Sequence, residues 1–163
     1  MTGVHVRQAT AADAPVVDAL LREAAAWVDA LGVVMWEDGE LDAAQIAGEV
    51  SAGQFVLAEV GGEPAGTIRF QLEDLLFWPD RPAGEAAFVH RLVVRRAFKG
   101  TGVSAALLEW ATRRAKAEGR AFLRLDCDAN RLKLRQLYER CGFRLHSYRE
   151  VGPYYVSRYE IET

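Results

Sequence analysis

The chain has 163 residues and a net charge of −3, with half of its residues hydrophobic and about a quarter charged. This profile is typical of one globular domain, so we expect residues 1–163 to form a single domain. The sequence has no basic surplus for nucleic-acid binding, no apolar run near the roughly 20 residues that span a membrane, and no hydrophobic stretch of a signal peptide. We therefore expect a cytoplasmic protein that binds neither nucleic acid nor membrane.

The first half of the chain predicts one strand and two helices. Alternating residues from His5 to Ala9 predict the strand, and Thr10 is the expected N-cap of a helix from Ala14 to about Ala30. Apolar residues recur along this helix at helical spacing, so we expect Trp27 to lie in the core. A second helix is predicted from Leu41 to about Ala52.

A hairpin and a long connection come next. Residues 55–60 and 64–70 predict two strands joined through Gly61 and Gly62. The connection from Gln71 to Glu85 has fifteen residues, and loops of that length in a compact domain are usually functional or disordered. Because it contains aromatic residues, we expect it to be ordered.

The second half alternates strands with helices. A strand from Ala86 to Val94 leads into a glycine turn, and a helix follows from about Gly102 to Gly119. We also predict that residues 128–130 cap a last helix, which ends before Gly142, where a left-handed C-cap favours glycine. This order predicts an α/β architecture with a mixed sheet. The remaining strands are predicted at Ala121–Cys127, Phe143–Tyr148 and Tyr154–Ile161.

The two cysteines, Cys127 and Cys141, have neither the spacing of metal ligands nor the pattern of a disulfide framework. Cysteines outside such patterns are usually small buried hydrophobic residues. We therefore expect both to be buried and inert, and we expect no bound metal.

The glycine turn has the features of a phosphate cradle. Gly100 and Gly102 allow a tight turn and a close approach of the backbone to a ligand, and the following helix directs unpaired N–H groups at it. The sequence has neither the G-x-x-x-x-G-K-[ST] nucleotide loop nor the G-x-G-x-x-G dinucleotide motif, since Ala105 replaces the third glycine. The alternative is that the glycines serve only as a turn.

Residues 99–104, K-G-T-G-V-S, follow an apolar strand and resemble motif A of the GNAT superfamily of acyl-CoA-dependent N-acyltransferases, R/Q-x-x-G-x-G/A. Lys99 replaces the usual Arg or Gln, and Ser104 replaces the usual Gly or Ala. The resemblance is strongest between Phe88 and Phe143, where Tyr138 precedes a Gly-Phe pair at the family's spacing. It implies a fold of the α/β class (α+β type): a mixed, mostly antiparallel twisted sheet of six to seven strands flanked by helices.

The resemblance also implies acetyl-CoA as cosubstrate. Backbone N–H groups of the turn would bind its pyrophosphate, and the end of the preceding strand would bind its pantetheine arm. Asn130 resembles a CoA-contacting asparagine of the family but lies one residue further from the tyrosine, and a role as N-cap is the alternative. The implied cofactor-binding residues are therefore Leu92, Val93, Val94, Lys99, Gly100, Thr101, Gly102, Val103, Ser104 and Asn130.

In the family the acceptor amine attacks the thioester directly in a ternary complex. Tyr138 matches the general acid that protonates the leaving thiolate, and the alternative is a core tyrosine. The strand glutamate that serves some members as base corresponds here to Phe88. His90 or Glu85 is the candidate base in its place, because imidazole titrates close to neutrality and Glu85 lies just upstream; a hydrogen-bonded sheet histidine is the alternative.

Within the long connection, Glu73, Asp74 and Trp78 are candidates for binding a cationic acceptor, unless the acids are solvated loop charges. The resemblance implies that the acceptor is a primary amine of a small molecule or a protein, and the expected state is a monomer or a homodimer. Two other functions remain open: a non-catalytic acyl-CoA sensor of the same fold, and a nucleotide-binding regulatory domain that uses the glycine turn alone.

Overall fold

The computed structural model describes residues 3–31 and 41–163, which form one seven-stranded sheet and four α-helices. The strands lie in the order β1-β2-β3-β4-β5-β7-β6. The elements are β1 (Val4–Gln8), α1 (Ala14–Asp29), α2 (Ala43–Ser51), β2 (Phe55–Val60), β3 (Glu63–Gln71), β4 (Ala86–Val94), α3 (Val103–Ala117), β5 (Phe122–Asp128), α4 (Leu132–Arg140), β6 (Arg144–Val151) and β7 (Tyr154–Glu162).

The predicted fold class is confirmed. β1 pairs with β2, β2 with β3, β5 with β7 and β6 with β7, all antiparallel, whereas β4 pairs with β5 in parallel. The sheet is thus mixed and mostly antiparallel. Within the described residues, no helix has the length and apolar character needed to cross a membrane.

Two local predictions for α1 need correction. Thr10 is the N-cap of a short 3₁₀ turn, Ala11–Asp13, and its backbone N–H donates to Asp13 Oδ2 at 2.8 Å. α1 begins at Ala14 as predicted, but its N-cap is Asp13 and not Thr10. The prediction that Trp27 lies in the core is wrong. Its side chain is 38% exposed, and the guanidinium of Arg96 lies 4.2 Å from the ring centroid. Trp27 lies outside the buried stripe of α1.

Contacts divide the chain into two compact units, the first comprising Met1–Arg69 and Arg91–Leu107. Its core joins apolar residues of α1 and α2 to Phe55 and Leu57 of β2 and to Val93 of β4. Gly66 of β3 approaches the start of α3 closely, since a Cβ there would lie 2.7 Å from Val93 O and 2.9 Å from Val103 Cγ1. This approach requires glycine at position 66.

The second unit comprises Phe70–His90 and Leu108–Thr163. Trp78, only 2% exposed, packs with Ala86 and Phe88, and the guanidinium groups of Arg124 and Arg158 lie 5.1 and 4.5 Å from its ring centroid. Arg158 donates to Phe77 O at 3.1 Å and to Asp80 Oδ1 at 2.7 Å. These contacts hold the connection between β3 and β4 in a defined conformation, as the sequence predicts.

The prediction that residues 1–163 form one domain stays a prediction.

Both cysteines are free thiols. Cys127 is buried as expected, whereas Cys141 is only partly buried, so its predicted burial is wrong. It follows directly after α4, where the chain turns towards β6.

Candidate active site

The glycine turn between β4 and α3 has an open face. Gly100 and Gly102 have φ angles of 79° and 87°, a region that side chains with a Cβ rarely adopt. A Cβ built at either glycine has no described heavy atom within 4 Å beyond its chain neighbours. Because α3 begins at Val103, its first N–H groups have no partner within the helix. A phosphate at this turn would meet no described heavy atom in the space that a Cβ would occupy, and its binding there stays a prediction.

The strand that precedes the turn is irregular at one residue. Arg91 has a φ of 55°, which is unusual for a residue other than glycine. Strand β4 ends three residues later, at Val94, and the backbone N–H of the next residue, Arg95, donates to Ala65 O at 2.8 Å. Lys99 and the glycines after it are exposed. Binding of a pantetheine arm by Leu92, Val93 and Val94 stays a prediction.

An acid–histidine cluster, formed by Asp74, His90 and Asp126, lies in the second unit. Parallel pairing of β4 with β5 ends at Phe88 and Arg124, and His90 and Asp126 each lie two residues further along their strands. His90 Nε2 lies 2.8 Å from Asp74 Oδ2, and His90 Nδ1 lies 3.6 Å from Asp126 Oδ1. The imidazole is thus placed between two carboxylates.

The pKa values of the two carboxyl groups in this cluster are shifted in opposite directions. Burial tends to raise the pKa of Asp74, but its hydrogen bond and charge interaction with His90, together with the backbone N–H groups of Phe77 and Leu76, lower it overall. Burial raises the pKa of Asp126 to about 6, and the negative charge of Asp74 acts in the same direction. One carboxyl is therefore a fixed anion, while the other titrates near neutrality.

The cluster also resembles a set of metal ligands, because one donor atom from each residue lies within 4.8 Å of the others. However, the two carboxylates face different nitrogens of one ring, as in a proton relay. The absence of a bound metal stays a prediction.

Tyr138 lies near the end of α4 and is 5% exposed. Its ring packs edge-on against Phe143, with centroids 6.1 Å apart, and also contacts Tyr159. Burial raises the pKa of the phenol, so the hydroxyl is protonated at neutral pH, as a general acid requires. The roles of proton donor and core tyrosine are both compatible with this position.

Backbone hydrogen bonds fix the end of α4 as predicted. Phe143 N donates to Tyr138 O at 3.0 Å and Gly142 N donates to Glu139 O at 3.1 Å, while Gly142 has a φ of 95°. These are the two bonds of a Schellman motif, and the contact of Phe143 with Tyr138 is its usual hydrophobic partner. The start of α4 differs from the prediction, because the N-cap position is Arg131.

The other candidate residues occupy different environments. Glu85 binds Arg124 at 2.9 Å and Arg81 at 3.2 Å, and these ion pairs lower its pKa despite the opposing effect of burial. Glu73 is exposed, whereas Trp78 is buried. Asn130 is exposed, and its backbone N–H donates to Asp128 Oδ1 at 2.8 Å. Their roles in binding stay predictions.

Sequence reasoning missed Asp126. This residue is the carboxylate between Leu125 and Cys127 of β5, both of which are buried. An ionisable residue within an apolar strand is a signal that the sequence offered, since carboxylates are rarely buried without a partner.

Comparison with known proteins places the chain in a family. A model described as the Acetyltransferase (GNAT) family matches residues 21–143. That match covers most of the chain, so the protein belongs to the GNAT acetyltransferase family. The family resemblance inferred from the sequence is therefore confirmed.

Individual proteins agree with this assignment. The chain is 28% identical over 148 residues to YesJ of Bacillus subtilis, described as an uncharacterised N-acetyltransferase, and the match covers 86% of this chain and 82% of YesJ. A GNAT acetyltransferase structure from Listeria monocytogenes is 26% identical, with a TM-score of 0.82 over 98% of this chain and 95% of that one. YncA of Salmonella typhimurium, a putative acetyltransferase solved with acetyl-CoA, has the same fold at 16% identity, with a TM-score of 0.73 over 98% and 94% of the two chains.

Proposed function

We propose that this protein transfers the acetyl group of acetyl-CoA to a primary amine of a small molecule or a protein. The open glycine turn at the start of α3 is the observation that carries the proposal. A CoA pyrophosphate fits there because backbone N–H groups and the helix dipole both favour an anion. Membership of the GNAT family and the acetyl-CoA held by YncA support the same cosubstrate.

The reaction needs a neutral amine and a protonated leaving group. The amine nitrogen attacks the thioester carbonyl carbon, the C–S bond breaks, and CoA leaves as a thiolate that takes a proton. Tyr138 is the proposed proton donor, since its buried phenol is protonated at neutral pH. His90 is the proposed basic group rather than Glu85, because Glu85 is held in ion pairs with two arginines.

The acceptor enters this proposal as a cation. Asp74 is an ionised carboxylate beside His90, and Glu73 is an exposed acid next to it in the chain. Both attract an ammonium group. Trp78 is a weaker candidate for direct contact, since only 2% of it is exposed.

A non-catalytic acyl-CoA sensor is the second candidate. It is favoured by the 5% exposure of Tyr138 and by Phe88 at the position of the family's strand glutamate. Such a protein would bind acetyl-CoA through the same turn but would release no thiol in the presence of amines.

Two measurements test the proposal. In thermal-shift experiments, acetyl-CoA at a hundredfold excess over its dissociation constant should stabilise the protein by about 2.7 kcal/mol, whereas ATP and NAD should not. Free thiol is then followed with acetyl-CoA and a panel of primary amines. Binding without thiol release from any amine would favour the sensor, and equal stabilisation by ATP would contradict both candidates.

A further inference from the structure

The first step of this inference concerns the tautomer of His90. Its Nε2 lies 2.8 Å from Asp74 Oδ2, a normal hydrogen-bond distance. The interaction with His90 and the backbone N–H groups of Phe77 and Leu76 lower the pKa of Asp74 against the effect of burial, so this carboxylate is ionised and can only accept. The proton of a neutral His90 therefore lies on Nε2, and its lone pair lies on Nδ1.

The second step concerns what Nδ1 faces. Asp126 Oδ1 lies 3.6 Å from Nδ1, which is too long for a hydrogen bond. The Asp126 side chain is only 8% exposed, and its Oδ1 has no hydrogen-bond partner in the described part of the chain. A buried carboxylate oxygen without a donor is costly, so it is a site for an N–H donor that comes from outside the chain.

We propose that Asp126 is the residue that accepts the proton of the acceptor amine, and that His90 and Asp74 form a relay behind it. The proposal rests on the acetyl transfer proposed above and adds a catalytic residue to it. Asp126 contacts the amine, whereas Asp74 is a positioning residue that acts through His90. No feature of the sequence motifs assigns Asp126 this role.

The proton balance of the step is complete. The amine nitrogen forms a bond to the carbonyl carbon of the thioester, and the C–S bond breaks. An ammonium acceptor loses two protons in all: one passes to solvent as the amide forms, and the one lost before the attack moves to Asp126 Oδ1. The resulting carboxylic acid passes that proton to Nδ1 of His90, and the imidazolium then lies between two carboxylates. Tyr138 or solvent supplies the separate proton that the thiolate takes.

The charges that face Asp126 agree with this role. They are His90 on β4, Asp74 in the loop before β4, and Arg158 on β7, whose backbone pairs with Asp126. Burial and Asp74 raise the pKa of Asp126, while protonated His90 and Arg158 oppose them, and the result is about 6. The relay uses the neutral form of His90, in which Arg158 is the opposing charge that stays. At neutral pH most of the carboxyl is thus ionised and ready to accept, as a general base should be.

The test compares kcat per folded molecule, across pH 5 to 9, for the parent and three variants. Asp126→Asn removes the accepting charge and should lower kcat by about 10²-fold or more, as expected for loss of a general base. Asp126→Glu retains a carboxylate and should recover part of that loss. Asp128→Asn is the matched control, since it removes a charge from an exposed position on the same face of β5.

The pH profile separates catalysis from structure. In the parent, kcat/KM should fall as the pH drops through about 6, because Asp126 becomes protonated. This acidic limb should disappear in Asp126→Asn and remain in Asp126→Glu and Asp128→Asn. A structural role for Asp126 predicts instead a lower Tm with an unchanged limb, and that result would overturn the proposal.

The relay has its own measurement. Long-range ¹H–¹⁵N spectra of the parent, assigned by comparison with His90→Gln, should show the Nε2–H tautomer, and Asp74→Asn should lose this preference. An Nδ1–H tautomer in the parent would overturn the relay. Loss of activity on chelation, with recovery on adding zinc, would show that the cluster binds a metal instead.

A parent that releases no thiol with any amine contradicts the proposed function itself. A parent whose turnover survives in Asp126→Asn contradicts only this inference.

Discussion

The glycine turn and the acid–histidine cluster are built in opposite ways. The turn consists of consecutive residues, and its binding groups belong to the backbone. The cluster brings together side chains from a loop and two strands, and Asp74 and His90 lie sixteen residues apart in the chain. A site made of backbone depends on a few glycines, whereas a site made of side chains depends on every element that positions it. The two should therefore respond differently to mutation.

The largest expected effect comes from placing a side chain in the turn. Gly102→Val should abolish acetyl-CoA binding, because its Cβ fills the phosphate space and a branched residue is strained at a φ of 87°. Isothermal titration with acetyl-CoA measures the loss.

Gly62→Val is the matched control for strain. Gly62 lies in the hairpin between β2 and β3 with a φ of 81°, and it likewise has no described neighbour within 4 Å of its Cβ position. Both variants should lose about 1–3 kcal/mol of stability through the unfavourable backbone conformation. Only Gly102→Val should lose the ligand; full binding by that variant would show that the turn is not the phosphate site.

The next prediction tests whether a residue of the second unit affects catalysis without affecting acetyl-CoA binding. Tyr138→Phe keeps the ring contacts with Phe143 and Tyr159 but removes the hydroxyl. If Tyr138 is the proton donor, kcat should fall by about 10- to 10³-fold while the acetyl-CoA dissociation constant changes little. Turnover and Tm are measured on one preparation. A lower Tm with unchanged kcat would assign Tyr138 to the core.

A smaller effect concerns the loop that carries Asp74. Arg158 is almost fully buried and binds Asp80, whose side chain is 42% exposed. Only one partner of this ion pair is buried, so removing the other should lower the free energy of unfolding by about 1–3 kcal/mol. Asp80→Ala should therefore lower Tm. It should also reduce kcat more than acetyl-CoA binding, because the loop positions the cluster and not the turn.

The pH dependence of this pair has a definite sign. The hydrogen bond from Arg158 holds the pKa of Asp80 well below its usual range, so the pair stabilises the fold above the ordinary aspartate pKa of about 3.9 and less at lower pH. Thermal melts should therefore separate parent and Asp80→Ala at pH 7, and the difference should shrink progressively as the pH falls below about 3.9 towards the depressed pKa of the folded state. Glu162→Ala, which removes an exposed ion pair with Arg144, is the control and should change Tm little.

The smallest effect is expected at Lys99, the cation directly before Gly100. Lys99 is exposed, so its contribution to binding an anion is screened by salt. Lys99→Ala should weaken acetyl-CoA binding by about 1 kcal/mol or less and reduce its dependence on ionic strength. A loss as large as that of Gly102→Val would mean that the side chain, and not the backbone, binds the phosphates.

The same contrast explains what could be predicted from the sequence. The bounds of β4, Ala86–Val94, agree with the prediction, because an apolar run between turn residues is a local signal. Gly142 could be predicted as a C-cap for the same reason. Trp27 was misassigned because helical spacing locates an apolar stripe without fixing its edges.

The acid–histidine cluster has no such local signal. His90 and Asp74 were candidates separately, but their contact depends on a loop that Arg158 holds through Phe77 O, eighty-one residues away in the chain. The role of Asp126 depends in turn on where the pairing of β4 with β5 stops. Such distant relations follow from the folded chain and not from spacing within one segment.

The Schellman end of α4 limits how this protein tolerates changes in length. The carbonyl of Tyr138 accepts the N–H of Phe143, so the helix end, the turn at Gly142 and the first residue before β6 form one covalent and hydrogen-bonded unit. A residue inserted between Tyr138 and Gly142 would rotate the tyrosine by about 100° around the helix or displace the glycine from its left-handed position. Deletions there should be equally harmful, whereas a residue added at the tip of the hairpin between β6 and β7, beside Gly152, should be accommodated.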